Sequence, residues 1–354
     1  MELYREVHPT FNKHFWQLVG NAKRIAITAH ISPDDDAIAS VLALYQIILQ
    51  KQPDKTVEII ITGRVVERFA SFQYFDQIKF VDDLANNLED TDLLITLDGS
   101  QHYRFTGQVE KLKAKLPAQT ICIDHHSSSV DEFTLATVVP DAPATTSIIY
   151  QLFQAEIEIN KPLAETLLLG ILGDTGNFSF LKLKDGYIFD IVRNLLKIAG
   201  INSIGEFQSR YRLIPDRVFK LIQMLIANTA HNQTAGWGNW QSSFLPRSVI
   251  TKQGYSDNEI SSASHIYMSH YLRVIEGYPW GIVITPDENS ECSISARSQP
   301  GSANSRELME KTDLGGGHDR AAGGTFELGD DKPRDPEKCL EWFKNWLTEN
   351  KPSN

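Results

Sequence analysis

From residue 24 onward, short β-rich runs alternate with helical stretches: RIAITA, AIASVLALYQIILQ and VEIIIT, and later DLLITLD and TICIDHH. This alternation predicts a parallel, doubly wound α/β sheet. In such sheets ligands bind beyond the carboxyl ends of the strands. His30 follows directly on the first run, Asp98 closes DLLITLD, and Asp124, His125 and His126 close TICIDHH. Three separate strand ends therefore deliver metal-type side chains to one rim.

The rest of the chain divides around that sheet. The opening stretch MELYREVHPTFNKHFWQLVGNAKR mixes charges into an amphipathic pattern. It lacks the uninterrupted apolar run of a secretory signal or a spanning helix, and reads as a folded helix of a cytoplasmic protein with no membrane partner. After Asp174, DGYIFDIVRNLLKIAG and INSIGEFQSRYRLIPDRVFKLIQMLIANTA carry helical periodicity. Near Gly236 the composition shifts. GWGNWQSSFLPRS, PWGIVITP and ECSISARS read as strands around a helix near NEISSASHIYMSHYLRV, followed by a glycine-rich loop and a final helix, EKCLEWFKNWLTEN. The expected organisation is an α/β catalytic domain over 1–190, a helical connector over 191–235 and a smaller α/β domain over 236–350. A chain of 354 residues, 42% hydrophobic, has room for two packed domains.

The formal net charge of −11 disfavours a protein built to hold long duplex nucleic acid, because that affinity rests on lysine and arginine neutralising many phosphates. A single nucleotide or short oligonucleotide remains compatible. Cys122, Cys292 and Cys339 show no CxxC spacing, and an odd number of cysteines suits a reducing compartment. Trp237, Trp240 and Trp280 could stack on bases, but packing in the smaller domain is the commoner role for such residues.

The segment HISPDDDAIAS places His30, Asp34 and Asp36 between a strand and a helix. Either one aspartate caps the helix beginning near Ala37 and the others are solvated, or the run supplies oxygen and imidazole ligands to a divalent metal. Asp98 ends an almost wholly apolar strand, where a carboxylate is costly unless solvated, hydrogen bonded or metal bound. In Asp124, His125 and His126, one imidazole can coordinate metal while the other faces a substrate phosphate and the aspartate fixes a ring tautomer. Asp174 follows a buried-looking helical run in LLLGILGDTGNF. Its alternative is the C-terminal end of a core helix.

In this order, HxxxDxD, a strand-end Asp98, DHH and GDTG resemble the DHH phosphoesterase superfamily. SARS at 295–298 and GGGHDRAAGG at 315–324 are similar to the DHH-associated domain of the RecJ and NrnA type. The resemblance spans about residues 20–330. It implies one metal held by His30, Asp34 and Asp98, and a second held by Asp36, Asp98, His125 and Asp174, with Asp98 shared. It further implies manganese, with magnesium as the alternative. His126, oriented by Asp124, would face the substrate phosphate, with catalysis resting on these two and Asp98. Arg104, Arg297, Ser298, Gly315, Gly316, Gly317 and His318 would bind substrate. Two departures stand out: Asp35 occupies a place where relatives carry a small residue, and His102 has no assigned role.

Two divalent ions can clamp the attacking and leaving oxygens of an in-line displacement at phosphorus. The compact two-domain form looks most like the nano-RNase and pAp phosphatase branch, which implies short RNA, pAp or linear dinucleotides such as pApA as substrates. A RecJ-like single-strand exonuclease and a cyclic dinucleotide phosphodiesterase are the alternatives. A family II pyrophosphatase shares the N-terminal elements without GGGH, and a catalytically silent nucleotide-binding module is the reading from outside enzymology. Association into a homodimer stays open.

Overall fold

The computed structural model describes residues 8–31, 33–63, 65, 67–126, 130–211, 213–287, 291–326 and 335–352. It divides into two compact units, residues 1–212 and 213–354. In the first, α1 (His8–Asn21) precedes β1 (Arg24–Ala29), α2 (Asp35–Lys51), β2 (Thr56–Thr62), β3 (Ile78–Val81) and β4 (Leu93–Leu97). There follow α3 (Val109–Lys115), β5 (Gln119–Asp124), β6 (Leu135–Val138), α4 (Thr145–Phe153), α5 (Lys161–Asp174), α6 (Tyr187–Ala199) and α7 (Ile204–Tyr211).

The six strands lie in the order β3-β2-β1-β4-β5-β6, every pair parallel. The chain winds outward from β1 to β3 and returns through β4 to β6, so the winding direction switches between β1 and β4. A crevice opens at the carboxyl ends of strands at such a switch. Side chains alternate across the sheet, as strand geometry requires. Ile25, Ile27 and Ala29 enter the main core with α2, α4 and α5, while Ala26 joins Ile60, Leu94, Phe105 and Leu112 on the other face. The strands β3 and β6 were not among the runs expected from sequence. Both are short edge strands with only one fully buried residue apiece, so their hydrophobic pattern is weak.

The start of α2 answers the question left by DDD. Asp34 is the N-cap and accepts from the N–H groups of Asp36 and Ala37. The helix begins at Asp35, two residues earlier than Ala37, and its acidic first turn complements the helix dipole.

The second unit holds α8 (Asp216–Ala227), β7 (Ala230–Thr234), β8 (Gly238–Phe244), α9 (Arg247–Gln253), α10 (Asp257–His270), β9 (Trp280–Pro286) and β10 (Cys292–Ser298). It ends with α11 (Ser305–Lys311), β11 (Gly315–His318), β12 (Ala321–Phe326) and α12 (Pro336–Glu349). Its sheet runs β11-β12-β10-β9-β8-β7; β8 and β9 are parallel and the other neighbours antiparallel. The glycine-rich stretch is a hairpin of two strands, where a loop was expected. Glycine permits this because the backbones approach too closely for side chains: a Cβ on Gly315 would lie 2.2 Å from the Gly323 oxygen. Trp240 and Trp280 are buried and stacked at 5.1 Å, so they serve the core.

The expected connector, 191–235, is shared between the units. Ile191, Val192, Leu195, Phe207 and Tyr211 join the core of the first, whereas Val218, Leu221, Ile222 and Leu225 of α8 pack with Ala263 and Tyr267 of α10 in the second. Amphipathic faces at helical spacing mark burial without saying against what. Among the described residues, no helix is long and apolar enough to cross a membrane.

Candidate metal centre

The switch point gathers the side chains singled out in the sequence. His30 lies one residue beyond β1, Asp98 one beyond β4, and Asp124 closes β5. Asp98 has φ 55° and is 1% exposed. A left-handed backbone at a residue other than glycine is uncommon, and here it lets the chain turn as the strand ends.

Among the described residues, three groups each bring potential donor atoms within 4.8 Å of one another: His30, Asp34 and Asp98; Asp36, His125 and Asp174; and Asp98, His125 and His126. His30 Nε2 is 3.4 Å from Asp98 Oδ2 and 3.7 Å from Asp34 Oδ1. His125 Nε2 is 3.3 Å from Asp98 Oδ1 and 3.0 Å from Asp174 Oδ2. Asp98 thus turns Oδ2 toward His30 and Oδ1 toward His125.

The ring orientations suit metal ligation. His30 Nδ1 lies 2.9 Å from the Ile31 carbonyl and His125 Nδ1 lies 3.1 Å from the Ala142 carbonyl. A carbonyl can only accept, so each Nδ1 carries the proton and each Nε2 faces the carboxylates. His126 differs. Its Nδ1 donates to Asp124 Oδ1 at 2.8 Å, and the same oxygen accepts from the N–H groups of His125 and His126. That ring is held by Asp124, with its Nε2 directed elsewhere.

Asp36 is wholly buried, and the N-terminus of α4 holds it. Its Oδ2 accepts from Thr145 N–H at 2.6 Å; its Oδ1 accepts from Thr146 N–H at 3.1 Å and Thr146 Oγ at 2.6 Å. The α4 N-cap, Ala144, has no side-chain oxygen to offer, so Asp36 satisfies those helix-end donors from a distant element. Thr145 Oγ also donates to Asp98 Oδ1 at 3.0 Å, tying two of the carboxylates together. These threonines were missed in the sequence because they sit 109 and 110 residues from Asp36, and Thr145 sits 47 from Asp98.

The electrostatics are those of a cation site. Burial, then the charges of Asp98 and Asp174, push the Asp36 carboxyl well above the usual carboxylate range. Burial first, with Asp34 and Asp98 adding to it, takes Asp174 up to about 6 despite a hydrogen bond from His125. Burial opposes protonation of His30, but Asp34 and Asp98 outweigh it and raise the imidazole to about 10. Asp98 goes the other way: hydrogen bonds from His125 and His30 outweigh burial and hold it far below the carboxylate range. Such crowding of buried like charges is relieved by divalent cations, and the oxygen and imidazole donors suit hard or borderline ions.

Residues 24–171 match the model of the DHH family, N-terminal domain. A bifunctional oligoribonuclease and PAP phosphatase NrnA of Thermus thermophilus is 26% identical over 328 residues, 92% of this chain and 90% of that protein. The first unit carries the N-terminal domain of the DHH family. A second NrnA of that bifunctional description, from Bacillus subtilis, is 30% identical over 160 residues, 44% of this chain and 47% of that protein. The crystal structure of an exopolyphosphatase-related protein from Bacteroides fragilis is similar over 97% of this chain and 98% of its own, with a TM-score of 0.76 and 21% identity. That likeness shows the fold.

The remaining expected residues lie apart from the clusters or in the second unit. Arg104, in a 3-10 turn over His102–Arg104, lies beside Gly99, where a Cβ would be 3.4 Å from Arg104 Cδ. His102 is buried, with Nδ1 3.1 Å from Asp131, and supports the loop. Arg297 and Ser298 end β10. Arg297 donates to the carbonyls of Ala296 and Ala322, and among the described residues it has no carboxylate partner. Burial, then the nearby charge of Arg273, lowers its pKa. Arg273 was not foreseen. Gly315, Gly316 and Gly317 form β11 with His318, whose side chain lies outside what the structure describes.

Proposed function

We propose that the chain hydrolyses phosphate esters of short oligonucleotides, pAp or linear dinucleotides such as pApA, with two divalent cations and with manganese preferred over magnesium. The observation that carries this reading is Asp98, whose two oxygens face separate donor groups. His30, Asp34 and Asp98 would hold one cation, and Asp36, Asp98, His125 and Asp174 the other. When bound, such a pair supplies Lewis acidity and lowers the pKa of a water to the neutral range. The NrnA relatives carry oligoribonuclease and PAP phosphatase in their names, which supports a small nucleotide substrate.

The chain's own groups complete the site. His126 donates a hydrogen bond from Nδ1 to Asp124, which fixes the ring, and in its imidazolium form Nε2–H donates to a phosphate oxygen. Arg104 binds the phosphate near Asp98. In the second unit, Arg297, with Ser298, Gly315, Gly316, Gly317 and His318, binds phosphate or nucleotide. A half-buried guanidinium with no carboxylate partner among the described residues supports an anion there, and Arg273 adds a second positive charge. A cytoplasmic location suits Cys122, Cys292 and Cys339, all buried and none in a disulfide.

A turnover panel tests the reading. The purified chain, with manganese or magnesium, is offered pAp, pApA, longer single-stranded RNA, cyclic di-AMP and pyrophosphate. Release of phosphate from pAp and of mononucleotide from pApA is expected, faster with manganese. Preference for long RNA or cyclic di-AMP would move the assignment to an exonuclease or a cyclic dinucleotide phosphodiesterase.

A further inference from the structure

The three consecutive aspartates have three separate fates. Asp34 caps α2 and faces His30, and Asp36 is held by Thr145 and Thr146. Asp35, between them, joins none of the donor groups found among the described residues. It is nonetheless buried, 9% exposed. Its Oδ1 lies 2.5 Å from a terminal nitrogen of Arg68. The Arg68 guanidinium sits 4.3 Å over the ring of Phe69, which is fully buried and so anchors the arm. On its other side Asp35 packs against Gly173, the residue before Asp174; a Cβ there would lie 2.4 Å from Asp35 Cβ. Asp35 is therefore directed by contacts on two sides.

Four carboxylates, Asp34, Asp36, Asp98 and Asp174, already crowd the clusters. A further carboxylate, buried and placed between two of them in the sequence, is costly unless a counter-charge meets it, and left unheld it competes to bind a cation. We propose that Asp35 and Arg68 form a charge latch: Arg68 withholds Asp35 from the metal centre, and Asp35 masks a guanidinium that otherwise repels cations. Both act as positioning residues, and the inference rests on the two-cation reading above. The latch sets cation affinity through charge, so breaking it from opposite ends has opposite consequences.

The test is calorimetric titration of manganese into the full chain, stripped with chelator, for the parental protein and for Asp35→Asn, Arg68→Ala, Arg68→Lys and Asp35→Asn with Arg68→Ala. Thermal unfolding in chelator checks that each variant folds. A unit charge several ångströms from a partly solvated site changes divalent affinity by about three- to tenfold. Asp35→Asn is expected to weaken manganese binding by about that factor, and Arg68→Ala to tighten it by about that factor. The double variant and Arg68→Lys should stay within about twofold of the parental protein, because each keeps the local charge balanced. Equal weakening by both single changes marks a plain structural contact and overturns the latch. So do variants indistinguishable from a parental protein that binds two manganese ions, an outcome that leaves the two-cation reading standing. A parental protein that binds none removes that reading, and the latch with it.

Discussion

Asp98 concentrates more chemistry than any other single side chain in the first unit. Its left-handed backbone costs about 1–3 kcal/mol, and the sheet must over-determine it. Its carboxylate is shared by two donor groups and is tethered by Thr145. Asp98→Ala is expected to abolish hydrolysis of pAp and to remove manganese from both positions, seen as a stoichiometry falling from two to none by calorimetry. The threonine acts more softly. Thr145→Val keeps the N–H that holds Asp36 but deletes the hydroxyl on Asp98, and loss of such a supporting contact lowers metal affinity by about 10- to 100-fold. The same titration checks it, with a chain that remains folded. Motif spacing made His30, Asp98, Asp124, His125 and His126 legible, since each follows directly on an apolar run. It could not expose Thr145, because a hydroxyl at a helix start reads as local capping when its true partners are remote in sequence.

At the scale of elements, the centre depends on how tightly α2, α4 and α5 close. Gly170 of α5 faces Asp36, and a Cβ there would lie 2.5 Å from Asp36 Oδ1 and from Thr146. Alanine is the better helix former by about 1 kcal/mol, but overpacking costs about 1–3 kcal/mol. Gly170→Ala is therefore expected to lose about 1 kcal/mol net, read by urea denaturation, and to weaken manganese binding. The loop after β4 rests on a second device. Asp83 accepts from Ala85 N–H at 2.8 Å, Thr106 Oγ at 2.5 Å and Gly107 N–H at 3.0 Å. Burial alone would raise this carboxyl, but those bonds and one from Gln108 hold it below its ordinary value. A carboxyl lowered on folding adds stability that is complete above its unfolded pKa of about 4 and is lost as pH falls through the folded value. Asp83→Asn should cost about 1–3 kcal/mol at neutral pH, with the gap to the parental chain narrowing below about pH 4. Urea titrations at several pH values measure this. The strands β1, β2, β4 and β5 were readable from sequence. Edge strands β3 and β6 were not, because half-exposed strands carry little of the apolar pattern that marks buried ones.

For the whole molecule, the proposed metal centre lies in the first unit and the proposed phosphate-binding Arg297 in the second. Arg297→Ala should raise KM for pAp by about 10- to 100-fold, the worth of charge-assisted hydrogen bonds to phosphate, while leaving manganese affinity unchanged. Arg273→Ala should shift KM in that direction by less, since it is the neighbour of the half-buried guanidinium. Steady-state kinetics beside a metal titration separates the two effects. Were either arginine change to strip the metal, recognition and catalysis would not be divided in this way. By itself the sequence determined the parallel sheet, the strand ends bearing donor side chains and the superfamily, because alternation of runs and short motifs are local properties of the chain. Only the tertiary structure decided that GGGH opens a hairpin, that the expected connector is split between two cores, and that the three adjacent aspartates serve three partners. Those outcomes depend on which distant backbone or side chain meets a given face, and local pattern carries no record of that.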